Sequence, residues 1–170
     1  MSSETQDIKH FLQEFRATVE SSAELLLKIS EAQSRIAKQP GKWSAREIVG
    51  HLIDSAANNH QRFVRAQFSN ELIFQGYQQA EWVKVQGYKD EPWFQLVKLW
   101  QHYNLHLVHL ISRIPGQTLT KSRAIHNLDS IAWQTVDKKD QTTLEYFVRD
   151  YVAHLSHHLG QIFAEDDSTE

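Results

Sequence analysis

A chain of 170 residues with 41% apolar and 23% charged side chains has the make-up of a folded globular protein with a substantial core. A formal charge of −3 gives no pull toward nucleic acid or anionic lipid, and no Lys/Arg run interleaved with aromatics is present. Without cysteine there is no disulfide, no thiolate nucleophile and no Cys-held zinc or iron–sulfur site, so any metal must take nitrogen and oxygen ligands.

The segment Met1-Ser-Ser-Glu-Thr-Gln-Asp7 is polar and lacks the apolar stretch of a signal peptide. No apolar run reaches the roughly 18 residues of a membrane helix. The expectation is a cytoplasmic protein with no membrane or nucleic-acid partner, forming one domain over residues 1–170.

Only six Gly and three Pro interrupt long stretches of helical period, which predicts an all-α chain. The first helix is expected from Thr5 to Lys38. Ile8, Phe11, Leu12, Phe15 and Val19 form its inner row, continued by Leu25, Leu26, Ile29 and Ile36, with a bend or break at Ser21-Ser22. Gln39-Pro-Gly-Lys42 ends the segment. Ser44 and Glu47 then form a capping box that opens a second helix, running through Leu52 to Phe63 and as far as Phe68. Its row Ser44, Ile48, His51, Ser55, Asn58 turns polar after the first turn, as a helix lining a pocket does.

Residues 69–91 carry weak periodicity and read as a long connection with a short helix near Gln78–Val85. A third helix is expected from Trp93 to Ile114, with Leu96, Leu99, Trp100, Tyr103, Leu107, Leu110 and Ile114 as its core row. Pro115-Gly116 stops it. Thr118 to Gln141 is irregular and polar, a crossover or a small hairpin. Thr142 or Thr143 caps the last helix, which precedes the acidic tail Glu165-Asp-Asp-Ser-Thr-Glu170. The pattern predicts a four-helix bundle with two long crossover connections.

In the last helix Phe147, Tyr151, His154, His158 and Ile162 follow one another at helical spacing. His154 and His158 are one turn apart on the inward face, where two imidazoles can point at one ion. The competing reading is a pair of core histidines satisfied by hydrogen bonds. His51, inward-facing on another helix, completes a set of three nitrogens that leaves coordination positions open. His157 departs from the row and reads as a pocket-edge residue. Asp54, a turn beyond His51, reads as a solvated carboxylate or as a group orienting an imidazole. Gln161 is equally open. His102, His106 and His109 lie beside the third helix's core row, on a solvated face. His10, His60 and His126 look isolated, with His126 placed in the second connection where it can overhang a pocket. No nucleophile elbow, phosphate loop or HExxH motif is present.

The stretch Trp43-Ser-Ala-Arg-Glu-Ile-Val-Gly-His-Leu-Ile-Asp-Ser55 resembles the second-helix signature of the DinB-like superfamily, particularly its YfiT branch of metal-dependent hydrolases. Tyr151-Val-Ala-His-Leu-Ser-His-His-Leu-Gly-Gln-Ile162 resembles its last-helix signature. The resemblance runs from about Ile8 to Phe163. It implies a four-helix bundle with a divalent ion, zinc or nickel, held by His51, His154 and His158. It implies hydrolysis or S-transfer from a low-molecular-weight thiol, a small-molecule substrate, and a homodimer. A non-catalytic, stress-related metal- or ligand-binding protein is the alternative. One departure stands out: the family's Tyr-Asp-x-x-x-Trp reads Tyr77-Gln-Gln-Ala-Glu-Trp82 here, an amide in place of a carboxylate near the expected pocket.

Overall fold

The computed structural model describes residues 3–164; the acidic tail lies outside them. Among the described residues seven α-helices follow in chain order: α1 (Ser3–Leu26), α2 (Ala45–Arg65), α3 (Gln79–Gln86), α4 (Trp93–Ser112), α5 (Gly116–Thr120), α6 (Leu128–Ile131) and α7 (Leu144–Phe163). The long ones, α1, α2, α4 and α7, form a four-helix bundle. Helix α2 is its centre, packing against both α4 and α7, while α1 packs against α4. Phe15, Leu52, Phe63, Trp100, Leu107 and Phe147 are buried between them. Among the described residues no helix is long and apolar enough to cross a membrane.

The first helix ends twelve residues before the expected Lys38. Lys28 and Ile29 bond back three residues instead of four, and Ser30 then closes a local network with Gln33. Serine and glutamine side chains that serve nearby backbone groups compete with helix propagation. In consequence Ile36 is exposed rather than in the core; Leu25, still within α1, faces solvent, and α1 runs unbroken through Ser21-Ser22. The core row of α4 is also rotated from the expected one. Val97, Asn104, Val108 and Ile111 are inside with Leu96, Trp100 and Leu107, whereas Leu99 is exposed and Tyr103 half-buried.

Helix α2 starts where its sequence requires. The Ser44 side chain accepts from the Glu47 amide, and the Glu47 carboxylate accepts from the Ser44 amide at 3.0 Å. Two otherwise unpaired helix-end donors are thereby satisfied. Arg46, fully buried, ties two segments, residues 31–34 and 89–91, to this start. Its guanidinium donates to Ser34 Oγ (3.2 and 2.9 Å), to the carbonyls of Lys89 (3.0 Å) and Glu91 (2.5 Å), and to Glu31. One turn on, Gly50 admits the ring of Tyr88, because a Cβ there would lie 2.1 Å from Tyr88 Cδ2.

The two long connections close over the same end of the bundle. The Leu72 amide donates to the Ile125 carbonyl and the Leu72 carbonyl accepts from the Asn127 amide, and the Asn127 side chain clamps both backbone groups of Phe74 at 3.0 and 2.8 Å. The second connection is a crossover carrying α5 and α6, with no hairpin. His126 belongs to this scaffold: it donates to the Asp140 carbonyl and accepts from the Leu128 amide. Thr143 caps α7 by accepting from the Tyr146 amide.

Candidate metal centre

His51 on α2 and His154 and His158 on α7 turn their Nε2 atoms toward one another. His51 Nε2 is 3.3 Å from His154 Nε2, which is 3.0 Å from His158 Nε2. Two nitrogens about 2.0–2.1 Å from a common ion are separated by roughly 3.4 Å at a tetrahedral angle and 2.9 Å at a right angle. The spacings from His154 to each of the other two are compatible with a shared divalent ion, and all three ligand atoms lie within 4.8 Å of one another. His51 is wholly buried under the Trp43 ring, 5.1 Å between centroids, and the α7 pair is half-buried.

The electrostatics suit ligation. Burial, reinforced by His158, pushes His51 down to about 4. Burial and the neighbouring imidazoles push His154 to about 3, and burial lowers His158 too. All three therefore present lone pairs at neutral pH. Gln161 fixes the tautomer of His158: its Oε1 accepts from Nδ1 at 2.9 Å, leaving Nε2 directed inward. The Gln161 amide in turn donates to His157 Nε2 at 3.1 Å. Outer contacts of this kind orient metal-binding imidazoles. His157, exposed and packed on Trp133 at 5.1 Å, is at the rim as its sequence position suggests.

Protons compete with metal for imidazole, so these lowered values carry a pH signature. Zinc affinity, measured by chelator competition, should change by less than about threefold between pH 7.5 and 6, where three ordinary imidazoles would lose roughly fiftyfold. The metal-free fold has the matching sign. His51 and His154 titrate lower when folded, so their contribution is intact above the unfolded value near 6.5. It is lost as the pH falls through about 4 and about 3.

A cavity of about 400 Å³ opens from the centre between α2 and α7. Tyr151, His154 and His158 form one wall, Ser55, Asn59 and Arg62 the other, and Tyr77 and residues 130–133 the roof. Asp150 secures that roof by accepting from the Trp133 and Gln134 amides at 2.9 and 2.7 Å. Burial pushes Tyr77 up to about 12, so its phenol stays protonated beside the cavity.

Other expectations require correction. Asp54 is buried, not solvated. Its Oδ1 accepts from Tyr88 Oη (2.7 Å) and Gln86 Nε2 (2.5 Å), burial raises its pKa, and neither bond goes to His51. His60 is not isolated, since it packs on His106 at 5.2 Å and meets Tyr103 Oη at 3.3 Å. His102, His106 and His109 are exposed, as expected.

Gln78 is exposed, outside the cavity wall, and occupies the N-cap of α3 without a side-chain cap bond. An Asp there would serve the helix end, not the chemistry. Gln78→Asp should raise stability by about 0.5–1 kcal/mol through the restored cap. Thermal or urea unfolding reads this, with metal affinity unchanged.

Asn59 and Arg62, which line the cavity, lie off the expected Ser44-to-Asn58 row, whose last step from Ser55 is three residues. A step of four from Ser55 leads to Asn59, and a further three to Arg62.

Fold and site together define a helical bundle that gathers three imidazole nitrogens at the end of a cavity. The chain belongs to the DinB superfamily, whose sequence profile matches residues 14–162. Its structure is similar to that of YfiT from Bacillus subtilis, described as a probable metal-dependent hydrolase with an unusual four-helix bundle topology. The TM-score is 0.74 at 21% identity, over 95% of this chain and 86% of that one. No curated protein matches the chain in sequence.

Proposed function

We propose that the protein is a divalent-metal-dependent enzyme for a small-molecule substrate, with His51, His154 and His158 as the metal ligands. The carrying observation is the convergence of three neutral Nε2 atoms at the end of a cavity. Held by these three imidazoles, zinc or nickel would supply Lewis acidity and make water or a thiol acidic near neutral pH. The reaction class is hydrolysis or S-transfer from a low-molecular-weight thiol.

The protein's own residues supply orientation and shelter. His158 is held in its ligating tautomer by Gln161, and Trp133 covers the α7 histidines from the roof. Tyr77 offers a phenolic proton at the cavity wall. S-transfer is favoured by one further feature: His158 also borders a second groove, lined by Trp43, Ile48 and Lys42, so the centre is approached from two sides. Two approaches suit two substrates.

The test is turnover of monochlorobimane with a panel of low-molecular-weight thiols, beside hydrolysis of p-nitrophenyl acetate, in protein of measured metal content. Metal-dependent turnover in either assay that disappears in His154→Ala supports the proposal. Tight metal binding without turnover in both assays would establish the non-catalytic alternative instead.

A further inference from the structure

The guanidinium of Arg62 is the feature of the cavity that metal binding does not use. Arg62 is only 8% exposed; its guanidinium lies over the Phe147 ring at 6.0 Å, and among the described residues its hydrogen bonds go to no carboxylate. Its bonds are one to the Gln75 carbonyl at 2.9 Å and a long one to Asn59 Oδ1 at 3.4 Å. A guanidinium carries five N–H donors, so most of its capacity is left for something else.

The other buried arginines are built differently. Arg46 is saturated by Ser34, two carbonyls and Glu31. Arg123 also lacks a carboxylate among the described residues, but it holds three backbone carbonyls and lines neither this cavity nor the Trp43 groove. Arg62 alone of the three faces a cavity with donors to spare. A buried charge without a partner is costly, which makes a missing counter-ion the natural complement.

We propose that Arg62 binds the carboxylate of a monoanionic substrate whose reacting end lies at the three histidines. Position supports this. His51, Ser55, Asn59 and Arg62 lie on one face of α2, and eleven residues of helix span about 16 Å. Helical side chains lean toward the N-terminus, and Arg62 does so in reaching Asn59, which brings its head back toward the centre. Charge also supports it. Arg62 is the sole Lys or Arg among the residues lining the cavity, and the one lining carboxylate, Asp150, is held by the Trp133 and Gln134 amides instead. The planar fork of arginine suits a carboxylate's two oxygens. Phe147, Ile131 and Trp133 line the same space, so the body that carries the carboxylate is apolar.

This inference rests on the enzymatic reading for the word substrate, but its binding step is tested separately from the metal. The probes are phenylacetate and its neutral isostere phenylacetamide, titrated calorimetrically into the protein as purified. The same titrations are run on Arg62→Gln and His154→Ala. Phenylacetate should bind the wild type at least about tenfold more tightly than the amide. Arg62→Gln should abolish that preference, and His154→Ala should keep it. If His154→Ala loses phenylacetate while Arg62→Gln retains it, the carboxylate goes to the metal and the proposal fails, although the metal site stands. Equal binding of acid and amide, or no binding of phenylacetate by the wild type, also overturns it. Should Arg62→Gln fail to fold, the acid–amide comparison in wild type and His154→Ala decides alone.

Discussion

Replacing His154 with alanine should weaken zinc or nickel binding by more than about 100-fold, beyond the 10–100-fold typical of losing an outer contact. His154 is the middle member of the cluster, with its Nε2 3.3 Å from that of His51 and 3.0 Å from that of His158. Its removal leaves two nitrogens, one on each helix. The effect on stability should change sign with metal. In the loaded protein the wild type gains about 4 kcal/mol at a thousandfold excess of ion over Kd, and the variant loses most of this. In the metal-free protein the variant should be neutral or slightly more stable, because a desolvated imidazole has been removed from a crowded site. Thermal unfolding with and without metal reads both signs. A histidine that merely filled the core would be destabilising to lose in both states.

The second large effect lies outside the cavity. Arg46→Ala should cost about 3 kcal/mol, mostly from leaving the Lys89 and Glu91 carbonyls and Ser34 without their donor. At roughly 2–4 °C per kcal/mol for a protein of this size, the midpoint falls by about 10 °C. The ion pair itself contributes less, since the Glu31 side chain is 55% exposed and can turn to water. Glu31→Gln should therefore be mild beside Arg46→Ala. Equal losses in the two variants would show that the pair, and not the carbonyl network, carries the stability. Within the Trp43-to-Ser55 motif, then, Arg46 holds the connections in place while His51 faces the site.

What could be read from the sequence was what local rules determine. The start of α2 follows from Ser44 and Glu47 alone, and the pairing of His154 with His158 follows from one turn of helix. His51 was reachable because its row on α2 turns polar after the first turn, as a helix lining a pocket does. The end of α1 was not reachable from periodicity, since Leu25 to Ile36 keeps a helical pattern while Ser30 and Gln33 bind each other instead. Asp54 looked solvated because its partners, Tyr88 and Gln86, are more than thirty residues away and reach it only over Gly50. Gln78 looked chemical until the fold placed it at a helix end.

The central claim is that His51, His154 and His158 share one divalent ion. Anomalous diffraction at the zinc edge from zinc-loaded crystals tests this most directly. One dominant peak is expected about 2.0–2.1 Å from the Nε2 atoms of all three residues. A peak at the exposed His102, His106 and His109 with none between α2 and α7 would contradict it.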